Sequence, residues 1–196
     1  EYENEQPNIP NGIVRVGLAF GSTALDAFHL QIQTGSGFTF GYYDTDRVFQ
    51  TVGSTAERAV TVIADTNVTV GDSTFGGYHV QLSDIYASFE AAQAAADERG
   101  GYPVFYNGKY RVHVGSYTSM DAASNSAATA YGSVVSGGAR SVLVVKSGTD
   151  QILFGFDCGS TYSLSLAPQS GSGAAVTQVA ECKDRSGTRS CTYYGD

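Results

Sequence analysis

The amino-acid sequence predicts an α+β protein in which an outer β-rich domain is interrupted by a βαββαβ unit, a four-stranded antiparallel sheet with two helices on one face. Three observations predict this class. Strand-like alternation occupies both flanks of the 196-residue chain, alanine-rich helix signals are confined to its middle, and that middle is internally repeated. The composition agrees, since 24 glycines, 13 tyrosines, 10 phenylalanines and no tryptophan favour turns and strands over long helices.

Residues 1–12 are expected to be a polar lead-in segment. The outer β-domain then begins, its first part spanning 13–74. Ile13-Val14-Arg15-Val16-Gly17-Leu18-Ala19-Phe20 is β-rich, and Phe28-His29-Leu30-Gln31-Ile32-Gln33 alternates with Phe28, Leu30 and Ile32 facing in. Gly35-Ser36-Gly37 turns the chain into Phe38-Thr39-Phe40. Residues 59–63 and 68–70 read as further strands. The same texture returns in the second part, 148–196, at Gln151-Ile152-Leu153-Phe154-Gly155-Phe156 and Tyr162-Ser163-Leu164-Ser165-Leu166.

Between these flanks, residues 75–147 form the interrupting unit. Ser88 caps a helix with Glu90 in its first turn and Gly100 at its end; Ser119, Asp121 and Gly132 repeat the recipe around a run through Ala130. Tyr78-His79-Val80-Gln81-Leu82 matches Tyr110-Arg111-Val112-His113-Val114, thirty-two residues further on. Tyr86-Ala87-Ser88-Phe89-Glu90-Ala91-Ala92 matches Tyr117-Thr118-Ser119-Met120-Asp121-Ala122-Ala123 with one deletion. The closing strands are expected at 102–106 and 141–145. First and last strands then lie side by side, so the ends meet and insertion into a host domain costs little.

In each repeat Val80, Leu82, Val112 and Val114 must face the helices. His79, Gln81, Arg111 and His113 then fall on the opposite, open face, and Phe105, one strand further out, adds an aromatic surface. Polar side chains on the solvent face of an antiparallel sheet are also what solvation alone would place there.

The repeat resembles the SPOR (sporulation-related repeat) family, whose pattern is an aromatic-x-Val-Gln strand, an alanine-rich helix and a Tyr-Arg-Val-x-Val-Gly strand; Tyr110-Arg111-Val112-His113-Val114-Gly115 carries the second half. The resemblance implies a ferredoxin-like fold and binding of peptidoglycan glycan strands that have lost their stem peptides. The flanks resemble the amino-terminal part of SpoIID/LytB proteins, also called amidase enhancers, through residues 13–20 and Thr192-Tyr193-Tyr194-Gly195. Family members of the sporulation type resemble lytic transglycosylases with a catalytic glutamate in a Pro-x-Glu-Met motif. None of Pro7, Pro10, Pro103 and Pro168 is followed two places on by Glu, so this chain is expected to be non-catalytic and to stop before that segment.

The implied location is extracytoplasmic, in the cell envelope, and the implied partners are glycan strands and other cell-wall enzymes. A free lactyl carboxylate, exposed when the stem peptide leaves, would suit a two-pronged bond from Arg111, while Gln81 can donate and accept at sugar hydroxyls. No nucleic acid is expected, because the formal charge is −8 and clustered Lys and Arg are absent. No membrane span is expected in this segment. An RNA-binding sheet and a protein-docking module that recruits a wall amidase are the competing readings; the RNA reading lacks its aromatic-rich basic strand.

No metal or cofactor is expected. His79 and His113 lack a third ligand at metal-binding spacing, and no glycine-rich stretch follows a strand and opens a helix as a phosphate cradle would. Asp44, Asp46, Asp65 and Asp72 read as turn residues, and His29 as a surface residue. Cys182 and Cys191 flank a short turn and fit either a hairpin disulfide, stabilising by about 3 kcal/mol or less, or, with Cys158, three free thiols.

Overall fold

A computed structural model describes residues 27–32, 35–169, 175–184 and 187–195, the last two stretches as backbone. The expected lead-in at 1–12, the expected strand at 13–20, Gly171-Ser172-Gly173, which the sequence reads as a flexible loop, and the side chains of Cys182 and Cys191 lie outside the described residues.

The outer strands come first: β1 (Ala27–Ile32), β2 (Phe38–Tyr43), β3 (Phe49–Thr55), β4 (Ala59–Ala64), β5 (Val68–Val70) and β6 (Ser73–Phe75). The repeated region holds β7 (Tyr78–Leu82), α1 (Phe89–Arg99), β8 (Tyr102–Tyr106), β9 (Lys109–Tyr117), α2 (Met120–Ser124) and β10 (Gly132–Ser136). A 3-10 helix, Ala127–Tyr131, joins the last two. Then follow β11 (Val142–Lys146), β12 (Ile152–Asp157), β13 (Ser165–Pro168), β14 (Ala175–Asp184) and β15 (Gly187–Gly195).

Ten of these strands make one continuous sheet in the order β10-β7-β9-β8-β12-β11-β4-β1-β14-β15. Only β8 and β12 pair in parallel; the other neighbours are antiparallel. This corrects the expected α+β architecture. The molecule is mostly β, and no self-contained four-stranded domain is set into a separate outer one. The outward edge of β8, which an isolated unit would leave bare, is taken by β12, and unpaired edge groups are costly enough to make that extension favourable.

The expected closing strand is also corrected. Residues 142–146 do not return to β7 but run between β12 and β4. Leu143, Val144 and Val145 are all buried, the mark of a strand covered on both faces. The strand beside β7 is β10, whose Val134 and Val135 sit among glycine and serine. The second helix is shorter than expected. It ends at the Asn125 cap because Ser124, Asn125 and Ser126 offer side-chain competition to the helical backbone.

The large sheet is covered in part on both faces. On one face lie α1, α2 and a small sheet of order β13-β2-β3. Phe38, Phe40, Val52, Phe105, Phe154 and Phe156 form that core, with the Phe40 and Phe154 rings stacked at 4.9 Å. Each such phenylalanine contributes about 2–3 kcal/mol by leaving water. The helices close the same face, with Ala92 and Ala96 against Leu82 and Val112. On the other face the β5–β6 hairpin covers Ile63, Tyr102, Leu143 and Val145 through Phe75 and Val70.

Two connections cross this second face. Residues 65–77 lead from β4 to β7 and residues 137–141 from β10 to β11, each passing four strands of the sheet. They meet each other where the Asp65 amide donates to the Ser141 carbonyl at 2.9 Å and the Gly137 amide to the Gly77 carbonyl at 2.9 Å.

Candidate functional site

Period-two alternation places His79, Gln81, Arg111 and His113 on the face away from the helices, and β7 and β9 are neighbours with Gln81 directly opposite His113. That face is not open at the histidines, which corrects the expected solvent-facing cluster. His79 is 0% exposed and His113 8%: the crossing connections roof His79 through Asp65, and the His79 and Tyr102 rings pack against His113. Gln81 and Arg111 are half-buried, toward the uncovered part of the face. Phe105 belongs elsewhere: it faces the opposite side, buried between Tyr110 and Phe156.

His79 is tied on every side. Its Nε2 lies 2.7 Å from Asp65 Oδ1, and its Nδ1 lies 2.8 Å from the Tyr102 hydroxyl and 2.9 Å from the Gly115 carbonyl. Ser141 Oγ donates to the second Asp65 oxygen at 2.8 Å. The His79 and His113 rings stack at 5.4 Å, and Tyr102 meets both edge-on at 6.0 Å. Burial, with Asp65 adding, pushes the Tyr102 phenol well above its ordinary value, so it keeps its proton.

Serine, histidine and aspartate meet here without making a nucleophile. Ser141 gives its proton to Asp65 rather than to His79, so the imidazole cannot act on it as a base. The arrangement ties the two connections to the sheet. Among the described residues no group of three His, Cys, Asp or Glu side chains could hold a metal ion.

Two polar atoms at the border of this network have no partner. His113 Nε2 reaches Gln81 Oε1 only at 3.4 Å, and His113 Nδ1 and Arg111 Nε are buried without a hydrogen bond. Among the described residues Arg111 has no carboxylate partner either. Burial holds the His113 pKa at about 3, with His79 and Arg111 adding to the effect and Asp65 opposing it.

Asp65, Tyr102 and Ser141 were not legible as members of this cluster. Asp65 stands in what reads as a turn, and nothing local marks its 4% exposure. Asp44 does act as a turn residue, its carboxylate accepting from the Asp46 and Val48 amides. His29 is half-buried, with Nδ1 2.8 Å from Thr61 Oγ1, rather than on the surface.

Fold and site together define a mixed-sheet β protein with a tied polar network and, at its margin, a guanidinium that has no carboxylate partner among the described residues. No protein-family model, curated protein or solved structure matches the chain.

Proposed function

We propose that this chain is the non-catalytic, glycan-holding and scaffolding region of an extracytoplasmic cell-wall protein of the SpoIID/LytB kind, and that Arg111 with Gln81 holds peptidoglycan strands stripped of their stem peptides. The observation that carries the reading is Arg111. A guanidinium with an enclosed, unpartnered Nε is costly to leave unsatisfied, and it persists here in a chain of net charge −8 that has carboxylates to spare. A carboxylate from outside would satisfy it. Gln81 beside it offers both a donor and an acceptor to hydroxyl and acetamido groups. The resemblance of the repeat to the SPOR family supplies the polymer, and the free lactyl group of stripped muramic acid supplies the carboxylate. Peptide-bearing strands lock that group in an amide, which gives the preference its chemical basis.

Histidines 79 and 113 have a supporting role in this reading, holding β7 and β9 in register beneath Gln81 and Arg111. Cosedimentation with purified sacculi, before and after amidase treatment, tests it. The chain is expected on amidase-treated sacculi, and Arg111→Lys, which keeps the charge and loses the fork, is expected to weaken retention about tenfold or more. Equal retention on both preparations, or an Arg111→Lys variant that binds as the parent does, overturns it. Capture of a wall amidase without any binding to sacculi would favour the docking reading instead.

A further inference from the structure

A cleft of about 660 Å³ lies on the far side of the large sheet from Arg111, where the first turn of α1 meets β3. Its volume is ordinary for a small-ligand site. Phe89 and Gly53 both line it, packed so closely that a Cβ on Gly53 would strike the Phe89 ring at 2.7 Å. Phe89 also packs edge-on against Phe154 at 6.0 Å, so this part of the lining is anchored in the main core.

The chemistry of the walls is one-sided. Thr39, Thr51, Ser54 and Ser88 contribute hydroxyls, Glu90 a carboxylate and Tyr110 a ring with its phenol. Among the described lining residues there is no lysine or arginine, and Glu90 has no ion-pair partner. Phosphates and carboxylates would therefore meet repulsion and no counter-charge. A polyol meets groups that both donate and accept, beside an aromatic surface suited to the apolar face of a sugar ring.

We propose that this cleft is a second saccharide subsite, taking uncharged N-acetylated sugar units, so that the chain grips glycan at two chemically different places. The proposal deepens the glycan-holding reading and rests on it for the choice of polymer. It assigns a role to the three-stranded sheet, whose β2 and β3 form one wall. Both walls belong to elements fixed by core packing, so the subsite is preformed.

Chitotetraose, a neutral N-acetylglucosamine tetramer without a lactyl carboxylate, is the probe. Titrated into the ¹⁵N-labelled chain, it is expected to give saturable amide shifts at Ser54, Ser88 and Tyr110. Ser54→Tyr, which fills the cleft from an exposed position, is expected to weaken these at least tenfold, and Thr51→Arg should do the same. Thr69→Tyr, an exposed change on β5, serves as the control. Shifts that map to Gln81 and Arg111, the absence of saturable shifts, or unweakened binding by both cleft-filling variants overturns the subsite. Because the probe carries no carboxylate, failure here is separable from failure of the Arg111 reading, which is scored on amidase-treated against untreated sacculi.

Discussion

His113 and Arg111 stand two positions apart on β9 and meet different fates. His113 is enclosed with one nitrogen unpartnered, and its pKa lies at about 3 where the unfolded chain has about 6.5. Between those values the unfolded state binds a proton that the folded state refuses. The stabilisation is therefore complete above pH 6.5 and is lost progressively as the pH falls toward 3. Its full extent is on the order of 5 kcal/mol. Urea unfolding at a series of pH values is expected to show this slope, and His113→Phe should flatten it. An equal slope in both proteins would assign the acid sensitivity to other groups. Arg111 is half-buried, so of the pair it is the one whose side chain reaches solvent.

At the scale of elements, α1 follows local rules closely. Ser88 Oγ accepts from the Ala91 amide at 3.3 Å, Glu90 lies in the first turn, and Gly100 ends the helix in the left-handed conformation at φ 67°. The connection at 137–141 follows none, being held by contacts with Asp65 and Gly77 from a distant part of the chain. Gly137 shows how tight that contact is. A Cβ there would overlap the Asp65 carbonyl and its carboxyl group, the carboxyl that holds His79. Gly137→Ala is expected to destabilise the fold by about 2–4 kcal/mol, read as a lower midpoint in thermal unfolding. A change within experimental error would show that the connection is not packed on Asp65. Gly76 is constrained in the same way, since a Cβ there would sit inside the Tyr117 carbonyl while its amide donates to Ser116 Oγ.

At the scale of the whole molecule, the repeated region depends on the strands around it. Residues 75–147 taken alone would lose Asp65 from His79, lose β12 from the edge of β8, and expose Phe105 and Tyr110 where the three-stranded sheet had covered them. Such a fragment would also carry β11 without its partners β4 and β12. It is expected to lack a cooperative unfolding transition, whereas residues 27–195 should show one; circular dichroism on both settles the matter. A fragment with a sharp transition would mean that the pairing of β8 with β12 adds little.

What the sequence by itself determined is what short stretches dictate. The caps of α1 and the alternation in Tyr78-His79-Val80-Gln81-Leu82 and Tyr110-Arg111-Val112-His113-Val114 place the four polar residues on one face, because strand period is a local property. Tertiary structure decided whether that face met water. Alternation fails in Tyr102-Pro103-Val104-Phe105, where all four are buried, so the side taken by Phe105 was unreadable there. It fails again in Leu143-Val144-Val145, and the same continuous burial marks a strand in the sheet's interior. The pairing of β8 with β12 and the meeting of the two crossing connections join residues about fifty or more positions apart, as Val104 with Gly155 and Asp65 with Ser141. Contacts of that range leave no periodic trace in either partner, and only the folded chain brings them together.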